Sequence, residues 1–290
     1  ASVTSVTTRT GTNQWHGSAL VFAHDAALAA VPPFSSRKPP GSGYQYGFSL
    51  GGPLVVNRSH FFGSYERRRS QDRNVVVSPA APDAEVPDDR SEHLVFFRVD
   101  HTRRGHLHSA RYHREQFRWH NEPGGGVLPG SGTGDATDVQ SLLAYFGLPV
   151  SSRGMHELRV QFSRFVHRRR DLQRSPYVWR AGYSVEGGSL GPSGFDADPE
   201  ETLEVSDTLS HGWGAHALRL GGGAKHVRAR NTRLPYGWGA YFFAGRPDRA
   251  GEPYLFVQSL APTGEAMVAE PRSLSAFGFA GAHVTMPHNT

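Results

Sequence analysis

The stretch "GYQYGFSLGG", residues 43–52, sets Tyr44, Tyr46, Phe48 and Leu50 at every second position, with Gln45, Gly47, Ser49 and Gly51 between them and Pro53 ending the run. Successive side chains of a β-strand point to opposite faces, so this period gives one aromatic and aliphatic face and one small, polar face. The pattern recurs in "HELRVQFSR", where Leu158, Val160 and Phe162 oppose Arg159, Gln161 and Ser163. It recurs again in "AHALRLGG", with Leu218 and Leu220 opposite Ala217, Arg219 and Gly221. "LVFFRVDH" and "HFFGSYER" are more mixed but still strand-like. Each run is about 8–12 residues, the length at which a tilted strand crosses a bilayer.

Bulk composition agrees with a β-rich chain. The 290 residues include 34 Gly and 20 Pro, too many for long helices, and only 37% are hydrophobic. No run approaches the roughly 18 apolar residues of a membrane helix. The start, "ASVTSVTTRT", has neither a charged end nor an apolar core, so no signal peptide is visible, and the missing initiator Met suggests a mature or truncated chain. With no cysteine, a disulfide framework and a thiolate metal site are excluded. The net charge of +5 invites a nucleic-acid reading, but the cations are nearly all Arg, with only Lys38 and Lys225, and are scattered over the whole length. No nucleic-acid partner is expected.

The reading places strands near 15–24, 43–53, 60–69, 93–102, 106–117, 155–167, 176–184, 202–210, 215–232 and 273–284. The gaps alternate in length. Long ones fall at 25–42, 70–92, 118–154, 185–201 and 233–272, and short ones at 54–59, 103–105, 168–175 and 211–214. A soluble sandwich has no reason to gather its long loops at one end, whereas a transmembrane barrel has short periplasmic turns and long extracellular loops. The expected fold is therefore all-β, an antiparallel up-and-down transmembrane β-barrel segment of about ten strands. Tyr44, Tyr46, Phe48 and Leu50 should face lipid and Gln45 and Ser49 the lumen. The long gaps should lie at one end, and the short ones at the other together with Thr8–Asn13 and Pro287–Thr290. Such a segment leaves two unpaired edges and is not expected to be stable in aqueous buffer. One helix is expected, at 135–147, with Leu142, Leu143 and Phe146 on one face and Gly147 at its C-cap.

Few constellations suggest chemistry. His106 and His108 share a strand face with His113 nearby, but Arg103, Arg104, Arg111 and Arg114 surround them and oppose a dication, so lumen-facing or turn histidines are the plainer reading. "GFDADPEE" offers Asp196, Asp198, Glu200 and Glu201, oxygen ligands that suit calcium, but it lacks the turn Gly and bidentate Glu of a helix-loop-helix site. A solvated acidic loop is the alternative. "GGGVLPGSGTGD" has neither the Lys of a P-loop nor a strand-to-helix context and reads as a flexible loop. Arg67–Arg69 and Arg168–Arg170 read as strand-end charge clusters, with lipid phosphates as the alternative partner. No nucleophile elbow, H-E-x-x-H or paired-carboxylate arrangement is recognisable, so no enzyme, resident cofactor or catalytic residue is expected.

"VTTRTGTNQWHGSALVFAHDAAL" resembles the plug-to-barrel junction of TonB-dependent outer-membrane receptors of the Oar-like group, where a Thr-rich turn is followed by an aromatic, "HGS" and the first barrel strand. "YQYGFSLGGPLVVNRSHFFGSYERRR" is similar to that group's second and third strands, "FRVDH" to its fourth, and "EVSDTLSHGWGAHALRLGGGAKHVRARN" to a later hairpin. "SAFGFAGAHVTMPHNT" is similar to a further strand and turn, with Gly281–Ala282 replacing the usual acidic pair. The resemblance implies that residues 1–14 are the last plug strand and exit turn, and 15–290 the first part of a barrel of about 22 strands. It also implies energised uptake of a large ligand at the bacterial outer membrane. Partners would be outer-membrane lipid, the TonB complex through a preceding region, and an unknown extracellular ligand. Adhesion or protein export by a structural barrel, or a soluble β-rich ligand-binding domain, are the alternatives.

Overall fold

The computed structural model describes residues 8–31, 38–188, 195–233, 236–245, 252–259 and 267–284. In chain order the strands are β1 (His16–Asp25), β2 (Gly41–Val55), β3 (Ser59–Val75), β4 (Glu85–Arg103), β5 (His106–Asn121), β6 (Thr133–Ser151), β7 (Gly154–Asp171), β8 (Tyr177–Arg180), β9 (Ser184–Glu186), β10 (Phe195–Trp213), β11 (His216–Ala229), β12 (Asn231–Arg233), β13 (Ala240–Phe243), β14 (Leu255–Val257), β15 (Met267–Ala269) and β16 (Arg272–Val284). Ten form one sheet in the order β1-β2-β3-β4-β5-β6-β7-β10-β11-β16, every neighbour antiparallel. This is an up-and-down meander with no crossover inside the wall. Asp25 closes β1: its carboxylate accepts the Ala27 N–H at 2.7 Å and starts a 3-10 turn, Ala26–Leu28.

Register fixes which residues share a face. Tyr44, Tyr46, Phe48 and Leu50 pair with Ala23, Val21, Ala19 and Gly17 of β1, and with Arg69, Arg67, Tyr65 and Gly63 of β3. Continued across the sheet, this outer face carries Phe97 and Val99, Tyr112, Leu142 and Ala144, Val160 and Phe162, Leu203 and Val205, Leu220, and Leu274. Along Thr202–Ser210 every odd-numbered residue is exposed and every even-numbered one half-buried. Phe48 is 58% exposed and Leu142 51%, values that a water-facing sheet cannot sustain over a whole face. Among the described residues the buried hydrophobics are only Phe62, Val76, Val86, Val166 and Ala240, so the wall has no packed second layer. Its apolar face must meet lipid.

The apolar band has aromatic borders. Trp15 (edge-on to Phe61 at 5.6 Å) and Trp213 mark it near the short turns; Tyr44, Tyr46, Tyr65 and Tyr112 mark it toward the long connections. Gly52 permits the Trp15 position, since a Cβ there would come within 2.8 Å of the indole. The ten residue steps from Leu203 to Trp213 span about 33 Å of strand, and about 25 Å of height at the usual tilt, which matches the apolar band of an outer-membrane barrel. The strands run past it: β4 has 19 residues. Beyond the tyrosines the outer face turns to Arg, Gln, Asp and His. Within the band one polar pair departs from the pattern, His156 Nε2 with Asp207 Oδ1 at 2.7 Å.

Several expectations are corrected. Residues 135–147 are not a helix; they lie inside β6, where Leu142 faces outward and Leu143 inward. The third long connection is therefore 122–132 rather than 118–154. Residues 176–184 supply β8 and part of β9 outside the wall, so 168–175 is not a turn at the short end but the top of β7 and the start of a long connection. Residues 215–232 divide into β11 and β12. The described residues of the connections that follow β1, β3, β5, β7 and β11 lie at one end, and the turns 56–58, 104–105, 152–153 and 214–215 at the other. One two-residue turn, Arg104–Gly105, has both residues at positive φ (53° and 82°), the hairpin geometry that matches strand twist. Asn13 sits at this end, its carboxamide oxygen accepting from the Asn57 N–H at 2.7 Å. Pro287–Thr290 lie outside the described residues. Among the described residues β1 and β16 each pair on one side only, and every residue of β16 is exposed.

Val160 sits in the middle of the band between Ala144 and Val205. Val160→Arg is expected to lower folding stability in phospholipid by about 2–4 kcal/mol, whereas its inward neighbour Gln161→Arg stays within about 1 kcal/mol. Urea titrations of folding into liposomes measure both.

Candidate functional site: the inner face and loop canopy

The face opposite the lipid band is lined by charges that neutralise one another. Glu66 accepts from Gln45 Nε2 at 2.8 Å and meets Arg68 at 2.6 Å, while Arg68 also reaches Glu92 at 3.2 Å. Arg98 pairs with Asp100 at 2.8 Å. Tyr145 donates to Glu157 at 2.8 Å, and Arg159 lies over the Tyr145 ring while pairing with Glu157 at 3.3 Å. Arg90 caps the Trp119 ring and pairs with Asp88 at 3.1 Å. Between these networks lies a groove of about 320 Å³ bordered by Phe22, His24, Gln45, Arg68, Arg90 and Phe117. Such a surface is wet and offers both donors and acceptors.

The segment before β1 lies against this inner face. Arg98 Nη1 donates to the Thr8 hydroxyl at 2.8 Å and Arg111 Nη1 to the same oxygen at 3.3 Å. From there the chain passes to Asn13, which also contacts His60 at 2.8 Å beside the first short turn. The roles of Arg98 and Arg111 were missed in the sequence reading. The available signal was an arginine on the non-lipid side of "LVFFRVDH", which needs a partner inside the lumen.

At the opposite end the long connections pack on one another. β8, β9, β13 and β14 form a four-stranded sheet, order β14-β13-β8-β9, joining the fourth and fifth connections. Main-chain bridges tie Val76 to Gly125 and Val127 to Val185, and Ser78 donates to the Tyr183 carbonyl at 2.6 Å. The most enclosed side chains of the wall top and canopy, Val76, Val86, Ser78 and Ala240, lie here. Trp179 and Tyr177 both contact the Phe242 ring, and Tyr241 packs on Phe256 at 4.6 Å. Burial, then the neighbouring Tyr236, hold the Tyr177 phenol above its ordinary pKa, so it stays neutral at physiological pH. This canopy is rich in aromatic side chains and stands at the end of the wall opposite the short turns.

The expected site residues are only partly brought together. His106 and His108 share the outer face near the short turn, where His108 stacks with His101 and meets Phe146. His113 points to the inner face, so the three do not converge. Asp198 and Glu200 lie on one side of β10, and Asp198 Oδ1 accepts the Thr232 N–H at 2.8 Å, joining β10 to β12. Glu201 faces the other way and pairs with Arg164 at 3.4 Å. The side chain of Asp196 lies outside the described residues. Among the described residues no three His, Asp or Glu side chains are grouped to hold a metal ion.

Residues 7–89 match a family model described as an outer membrane beta barrel domain. Among solved structures, the outer membrane transporter YddB from Escherichia coli superposes with a TM-score of 0.51 at 8% sequence identity, over 85% of this chain and 32% of that one. The chain thus spans about a third of that transporter's length, and at this identity the likeness is one of fold. No curated protein matches by sequence. The fold is that of an outer-membrane β-barrel wall, and the family match over residues 7–89 indicates the bacterial outer membrane as its location.

Arg180 ties the canopy together, lying 4.1 Å over the Phe243 ring and 3.3 Å from Glu186. Arg180→Ala is expected to speed hydrogen exchange in 177–186 by about tenfold, equivalent to about 1.4 kcal/mol of local stability, while amides of β2–β7 keep their protection.

Proposed function

We infer that the chain is the plug exit and first barrel portion of a TonB-dependent outer-membrane receptor of the Oar-like group, taking up a large ligand. One observation carries this reading: the segment preceding β1 runs along the inner face, held by Arg98 and Arg111, before it turns at Asn13 into the wall. A chain that leaves a domain housed in the lumen must follow this course. Residues 1–14 are then the last plug strand and exit turn, and 15–290 the wall. The mixed donor and acceptor inner face and the aromatic canopy are the surfaces that select the ligand, with calcium at Asp196, Asp198 and Glu200 as a structural option in the outer connections. The role is passage and recognition rather than catalysis, with lipid around the wall and the TonB complex engaging a region ahead of residue 1.

The direct test is binding of the full-length protein, purified in detergent, to the periplasmic domain of TonB from the same organism. Specific, saturable binding is expected; binding no stronger than that of a general porin would favour adhesion or export instead. The anchoring arginines give a second test. In planar bilayers the R98A/R111A variant is expected to open under milder urea than the wild type, because the plug exit has lost its charge-assisted contacts. Unchanged urea dependence would separate Thr8 from plug retention.

A further inference from the structure

Above the tyrosine border, the outer face of β3–β7 holds a groove of about 730 Å³. Register builds it. One cross-strand row reads Arg69, Ser91, Arg118, Ala136, Arg168, so an arginine stands on every second strand with a small residue between. Strands are about 4.8 Å apart, which sets successive guanidinium stems about 10 Å apart and leaves two slots floored by Ser91 and Ala136. The next row adds His120 and Arg170, whose side chain lies across Gly134; a Cβ there would meet its Nε at 3.2 Å. Arg67 borders the groove from below.

The protein supplies these cations with fewer acids than guanidiniums. Nearby acids on the same face are already committed: Asp138 to Arg114 at 2.7 Å and Glu201 to Arg164 at 3.4 Å. Glu122 is held by His120 at 3.2 Å, and Asp89 is the one further carboxylate bordering the groove on this face. Arg118, Arg168 and Arg170 are exposed and have no acidic partner among the described residues. Crowded guanidiniums on the outside of a barrel repel one another unless anions lie between them. Beneath the groove run two mixed rows, Arg67, His93, Gln116, Asp138, Val166 and then Tyr65, Val95, Arg114, Gln140, Arg164, before the same face becomes Phe97, Tyr112, Leu142 and Phe162, which acyl chains can cover.

The geometry points to a binding site for a lipid of the surrounding leaflet that carries two phosphate groups, one in each slot, with its acyl chains on the apolar band. Arginine suits this task because its planar fork gives two parallel hydrogen bonds to a phosphate. The groove lies on the outer face of the wall, above the lipid-facing band, so its ligand comes from the membrane side and not through the lumen. The site depends on the outer face alone and holds whether or not the barrel is TonB-dependent.

The full-length protein in detergent is titrated with diphosphoryl lipid A, monophosphoryl lipid A and inorganic pyrophosphate, with complexes counted by native mass spectrometry. The diphosphoryl lipid is expected to bind at least tenfold more tightly than the monophosphoryl one. R118A/R168A should remove that tenfold advantage, R118K/R168K should retain part of it, and R272A, on the same face at the far edge of the sheet, should leave it unchanged. Heat-modifiable gel mobility checks that each variant is folded, and the two-lipid comparison on the wild type stands even if a variant fails to fold. Equal affinity for the two lipids, or no loss in R118A/R168A, overturns the site. Displacement of the lipid by equimolar pyrophosphate overturns the lipid assignment in favour of a free anion.

Discussion

In hydrocarbon there is no water to satisfy a backbone N–H or C=O, so a strand that crosses a bilayer must be paired on both sides along its whole crossing. The wall obeys this from β2 to β11, where the antiparallel ladder runs with only small register shifts, at Pro53, Pro149 and Phe195. The rest of the structure depends on that ladder. It forces a period of two, which places lipid on one face and a wet lumen on the other. It makes a packed core unnecessary, and it leaves much of the enclosed packing to the wall top and canopy, where connections can fold on one another in water. It also makes β1 and β16, each paired on one side, the places where further wall must join.

Much of this was legible because alternation is a direct consequence of strand geometry. Tyr44 to Leu50 and Leu158 to Phe162 announce their faces without help from distant residues. The reading failed at 135–147 because Leu142, Leu143 and Phe146 also suit one helical face. Over so short a window the two periods are nearly degenerate, and the ladder with β5 and β7 decides between them. Strand lengths were underestimated for a related reason. Above the bilayer both faces are polar, so "TGDATDVQ" shows no alternation although it is fully paired. The missed β6 and the misplaced strand at 176–184 offset each other, which preserved the count of ten while shifting the polarity of the turn at 168–175.

The functional surfaces were less visible, since they arise from rows that run across strands. Arg69, Arg118 and Arg168 are about fifty residues apart in the chain and become neighbours only through register. Arg98 and Arg111 likewise become neighbours only through the β4–β5 register, which lets both reach Thr8. The calcium candidates illustrate the converse: acids close in sequence are separated by the pleat, with Glu201 turned from Asp198 and Glu200. Sequence proximity suggests sites in loops; register makes them in walls.

The central claim is the sidedness of the wall, and the chain's lack of cysteine makes it directly measurable. Single cysteines placed in turn at 202–209 carry a nitroxide label in the full-length protein reconstituted into phospholipid, and relaxation by oxygen is compared with relaxation by a water-soluble nickel chelate. A strict two-residue alternation is expected, with 203, 205, 207 and 209 favouring oxygen and 202, 204, 206 and 208 favouring nickel. The opposite phase, or no alternation, would contradict it.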